Sequence, residues 1–159
     1  MSEVLEVRWP RARAWLDRIR RAAAAIEPLV REMAAMSDAY DETLPWHTGG
    51  GGSSKQVHSD PTAAQAMTRA QSYDEQMADM QRRLDALTAT VGEGGRVIGR
   101  TGDALGEDHS LALELYYIDC AETWSDVADE MRVSRTRLWQ MRCESYAWIE
   151  SHFERSLSA

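Results

Sequence analysis

The chain has 159 residues, room for one domain or a small domain with an extension, and is 43% apolar and 28% charged, which excludes disorder throughout. Eighteen Lys and Arg against 26 Asp and Glu leave a formal charge of −8, a poor endowment for a phosphate-binding protein unless its cations are concentrated. No apolar run reaches the roughly 18 residues of a membrane span, and the opening MSEVLEVRWPRAR has no signal-like apolar stretch, so the reduced cytoplasm is the expected compartment.

The first element is a long amphipathic helix within 1–44. Ala12, Trp15, Ile19, Ala22, Ile26, Leu29, Met33, Met36 and Tyr40 follow one another at steps of three and four, which keeps them on one helical stripe. Pro10 suits the first helical turn, where its missing N–H is not needed. Pro28 lies inside the stripe and is expected to kink or split the helix near Glu27. Residues 45–59 carry four consecutive glycines and two serines and read as a flexible connector. Ser59 or Asp60 is then a candidate cap, with Pro61 at the first helical position.

The segment 60–106 begins with a second stripe: Ala63, Ala66, Ala70, Tyr73, Met77, Met80, Leu84, Leu87 and Val91. Two stripes joined by a reversible connector predict a helical hairpin with antiparallel, coiled-coil-like packing. A homo-oligomeric coiled coil is the alternative, and surplus apolar surface at Trp15 and Tyr73 would favour a dimer. Gly92, Gly94, Gly95, Gly99, Gly102 and Gly106 then crowd the end of the segment. Each disfavours a helix by about 1 kcal/mol relative to alanine, so a broken or short helix acting as a hinge is expected here.

Residues 107–159 hold five basic and 11 acidic side chains, a net of −6, and three helical patterns. The first spans about Asp108 to Ala121. Thr123 caps the second, Trp124 to about Met131, with Asp126 completing an acidic capping box. Arg132 and Val133 make a turn, and Ser134 caps the third. Val127, Ala128, Met131, Val133 and Leu138, with Trp124, have the spacing of a helix-turn-helix core, in which Ala128 is small because two helices cross there. Ser134 leaves Arg135, Thr136, Arg137, Trp139 and Gln140 on the first turns of the last helix, where Arg and Gln can read base edges. Arg132 and Arg142 are placed for phosphates.

The run YYIDCAETWSDVADEMRVSRTRLWQMRCESYAWI resembles the C-terminal part of the RinA-like and ArpU-like phage transcriptional regulators, itself similar to region 4 of σ factors. Tyr117, Trp124, Val127, Ala128, Met131, Ser134, Leu138 and Arg142 carry the likeness. Upstream, the helix with Trp15 and Leu16, the loop ending VHSDP and the second long helix follow the same layout. Where the family has a basic residue before its tyrosine, this chain has Tyr116. The resemblance implies an all-α protein, a long hairpin followed by a σ-region-4-like helix-turn-helix. It implies a sequence-specific DNA-binding regulator of phage or prophage genes in the host cytoplasm, a late-operon activator that contacts RNA polymerase. The alternative is an oligomeric phage-assembly or polymerase-associated protein whose acidic C-terminal domain binds a protein.

Nothing in the chain points to catalysis, a cofactor or a metal. His47, His58, His109 and His152 lack ligand spacing and are expected in solvent. Cys120 and Cys143 read as small, buried apolar residues. Trp124 and Trp148 are expected in the core, and Asp126, Asp129 and Glu130 on a solvated helix face.

Overall fold

The computed structural model describes residues 8–43 and 63–153. They form five helices, with no strand among the described residues: α1 Pro10–Glu42, α2 Ala63–Leu105, α3 Glu107–Tyr117, α4 Trp124–Met131 and α5 Arg135–His152. None is long and apolar enough to cross a membrane. The connector 45–59 and the candidate cap at Ser59, Asp60 and Pro61 lie outside the described residues.

Two expected interruptions are absent. Pro28 lies inside α1, which continues past it to Glu42. Pro28 and Ala24, whose carbonyl loses its donor, are both exposed, so the missing bond falls on the solvent side of the helix, where it costs least. The glycines of 92–102 do not break α2, which runs unbroken to Leu105. Two of them are sites of close approach. A Cβ on Gly94 would stand 2.6 Å from the side chain of Ile19, and one on Gly102 would stand 2.5 Å from Ser110 Oγ. Packing there overrides the weak helix propensity of glycine.

The chain divides into two compact units, one of residues 1–26 with 86–159 and the other of 27–85. Residues 107–159 thus fall in the same unit as 1–26 and 86–106. In the first unit Trp15, Leu16 and Ile19 of α1 are enclosed with Val97 and Ile98 of α2, Leu113 and Tyr117 of α3, and Tyr146 and Ile149 of α5. Trp15 is only 4% exposed, so it supplies no surplus surface for a dimer. Burying a large apolar side chain contributes about 1.5–3 kcal/mol, which ties α1 into this core.

Polar contacts join the same elements. Glu150 of α5 accepts the Ala12 N–H at 2.6 Å and the Arg11 Nε–H at 2.9 Å, so a carboxylate satisfies one open N–H at the start of α1. Arg20 donates to the carbonyls of Tyr116 and Ala121, where α3 ends earlier than its expected limit at Ala121. Cys120 adopts a left-handed conformation at that stop, with φ 59°.

In the second unit, Met36 and Tyr40 of α1 line an open groove with Tyr73 and Gln76 of α2, and Glu32 and Met36 line another with Gln76 and Met80. The Tyr40 and Tyr73 rings stack with centroids 4.1 Å apart.

Candidate nucleic-acid interface

The site is built from α4, α5 and the three residues between them. Thr123 opens α4 as its sequence predicts. Its Oγ1 accepts the Asp126 N–H at 3.2 Å, and Asp126 Oδ2 accepts the Thr123 N–H at 2.8 Å and hydroxyl at 2.7 Å. Those hydrogen bonds, the hydroxyl's first, hold the Asp126 carboxyl below the usual carboxylate range. Arg132 ends α4 in the left-handed region, with φ 55° and ψ 40°. This reverses the chain, and the Val133 N–H donates to the Ala128 carbonyl at 3.0 Å. Ser134 then caps α5, accepting the Arg137 N–H at 3.1 Å.

Beneath these elements Val127, Ala128, Leu138 and Met141 are buried with Ala112 and Leu115 of α3. Met131 and Val133 are half-buried at the edge of that cluster. Two N-caps and one shared core hold the start of α5, so the side chains it projects are positioned by rigid structure.

On the outer side, Arg132, Arg135, Thr136, Arg137 and Gln140 are all exposed. The three arginines make no ion pair with another described residue. They are concentrated within six positions, and the cap residues and Met131 supply no opposing charge. The open N–H groups of α5's first turn add partial positive charge at the same end. Asp129 and Glu130 are exposed on the neighbouring helix α4.

Two expected contact residues are placed differently. Trp139 is half-buried, with an enclosed Nε1 that has no hydrogen-bond partner among the described residues. Arg142 is also half-buried. Its guanidinium lies 3.9 Å from the centre of the Trp124 ring and 5.9 Å from that of Tyr146, so it faces aromatic rings. Trp124 stacks on Tyr116 with centroids 3.9 Å apart, and Arg20 lies 4.0 Å from the Tyr116 ring. Arg142, Trp124, Tyr116 and Arg20 thus form one continuous stack joining α5, α4, α3 and α1. Trp124 and Trp148, both expected in the core, are half-buried and packed against it.

Arg20, Tyr116, Glu144 and Glu150 carry structural roles that the sequence does not reveal. His109, expected in solvent, is buried and hydrogen-bonds through Nε2 to Glu144 at 2.6 Å. An (i, i+4) pattern would expose pairs within one helix. The hydrogen bonds of Arg20, Glu144 and Glu150 span 35 to 139 positions, and no local signal marks them. Cys120 and Cys143 are half-buried thiols, and burial raises the Cys143 thiol above its usual range. Among the described residues no cluster of His, Cys, Asp or Glu could hold a metal ion.

Comparison of the chain with protein-family models, with curated proteins and with solved structures finds no match.

Proposed function

We propose that this chain is a sequence-specific duplex-DNA-binding regulator of phage or prophage transcription. In this reading α4 and α5 are a helix-turn-helix of the σ-region-4 type, and α5 enters the major groove. The long helices α1 and α2 form a helical hairpin that carries it, and RNA polymerase is a second partner. The observation that supports this most is the exposed, unpaired set Arg132, Arg135 and Arg137 at the capped start of α5. Charge on the rest of an acidic molecule is largely screened beyond a Debye length of about 8 Å, so a local cationic face suffices for docking.

Arg135, Arg137 and Gln140 are assigned to base edges, Arg132 to a phosphate, and Thr136 to either. The test is titration of the full chain against duplex DNA flanking its own gene at two salt concentrations. The expected result is binding that weakens steeply with salt. Arg137→Ala should lose about 1–3 kcal/mol and relax preference at one base pair. Arg132→Ala should weaken all sequences alike and reduce the salt slope by about one. No duplex binding at low salt would overturn the reading and favour a protein-binding role, for which the net charge of −6 over 107–159 is the supporting observation.

A further inference from the structure

We propose that the second unit, 27–85, docks a basic amphipathic helix of a partner protein in the groove between α1 and α2. The argument begins with incomplete burial. Among the described residues of this unit only Leu29 and Met80 are buried, while Met33, Met36, Tyr40, Tyr73, Met77 and Leu84 are half-buried. Two helices cover a seam from one side each, and the flanks of every seam residue stay open.

One flank forms an open groove of about 450 Å³, lined by Glu32 and Met36 from α1 and by Glu75, Gln76, Asp79 and Met80 from α2. Methionine suits such a floor, because its unbranched, polarisable side chain adapts to varied apolar shapes. The charge on the groove selects the occupant. Glu32 and Glu75 make no ion pair with a described residue, whereas Asp79 is held by Arg82 at 3.2 Å and Glu27 by Arg31 at 2.7 Å. Over 27–43 and 63–85 the unit carries four arginines and nine carboxylates, a net of −5.

A second copy would set equal negative charges against each other, and nucleic acid has the same sign. An uncharged apolar helix would cover the methionines but desolvate Glu32 and Glu75 without compensation. A helix with apolar residues at i, i+3 or i+4 and i+7, flanked by Lys or Arg, satisfies both the floor and the rim. This surface is separate from the start of α5 and does not depend on the DNA-binding reading.

The test is fluorescence anisotropy of the full chain with a labelled Leu/Lys peptide patterned as an amphipathic helix, beside a scrambled peptide of the same composition. The expected result is preference for the patterned peptide and a loss of about tenfold or more in Glu32→Lys/Glu75→Lys. Glu32→Gln/Glu75→Gln should show a smaller loss with unchanged helical circular dichroism. Reversal of two acids in the first unit, Asp103→Lys/Glu107→Lys, should leave affinity unchanged. Equal binding of the scrambled peptide, or equal affinity in wild type and both groove variants, would overturn the proposal. So would self-association in sedimentation velocity that the patterned peptide does not displace, since a second copy would then cover the groove.

Discussion

The Arg142 guanidinium lies 3.9 Å from the centre of the Trp124 indole, although the sequence assigns one residue to a phosphate and the other to the interior. Arg142 Nε is enclosed and has no hydrogen-bond partner among the described residues, and the guanidinium lies over aromatic faces. A partly desolvated cation–π contact contributes about 0.5–2 kcal/mol. Arg142→Ala should lower the melting temperature by a corresponding amount, and Arg142→Lys should recover only part, because the planar guanidinium stacks and the ammonium does not. Thermal unfolding checks the stability. Salt titrations check the role: the slope for duplex binding should match wild type, in contrast to Arg132→Ala.

Ala128 is 1% exposed and lies among Val127, Leu138 and Met141. Ala128→Leu adds volume where α4 meets α5, and overpacking of this kind costs typically about 1–3 kcal/mol. The variant should melt lower and lose duplex binding together. Undiminished stability in a denaturant titration would show that the site has room for the larger side chain.

The glycines of α2 should divide into two groups. A Cβ at Gly94 collides with Ile19, whereas one at Gly92 or Gly99 meets nothing within 4 Å. Gly92→Ala and Gly99→Ala should each stabilise the helix by up to about 1 kcal/mol. Gly94→Ala should destabilise, because Ile19 is fully enclosed in the core and cannot yield freely. Urea unfolding of the three variants measures the sign directly.

The hydroxyls of Tyr117 and Tyr146 meet at 2.7 Å in the core. Either Tyr→Phe change alone strands a buried hydroxyl, at a cost of about 1–3 kcal/mol, while the double change should lie closer to wild type. Burial first, and then Tyr146, raises the Tyr117 pKa well above its ordinary value of 10.0. The native state thus favours the protonated phenol. This stability is fully present below the unfolded pKa, and it is lost as pH rises through the folded one. Denaturant unfolding at about pH 8 and about pH 11 should show a loss at the higher pH that Tyr117→Phe reduces.

Helix starts were legible wherever the signal was local. Pro10 opens α1, and Thr123 with Asp126 and Ser134 cap α4 and α5 as their spacing predicts. The inward set Val127, Ala128 and Leu138 follows from helical periodicity for the same reason. Each of these features is decided within about four residues, by one hydrogen bond or one turn of helix.

The misread features are those where a local preference met a distant partner. Glycine propensity argued against a continuous α2, but Ile19 lies 75 positions before Gly94 and needs the space of its missing Cβ. Trp15 looked like spare apolar surface because the sequence does not show that α3 and α5 enclose it. Arg20, Arg142 and Glu150 carry no sign of which rings, carbonyls or N–H groups they meet. From sequence, the start of α1, the caps of α4 and α5 and the apolar stripe of each helix could be read, because those depend on neighbours a few residues away. Tertiary structure alone decided which faces meet and which charges are consumed in holding them, because those energies arise only when segments far apart in the chain exclude water together.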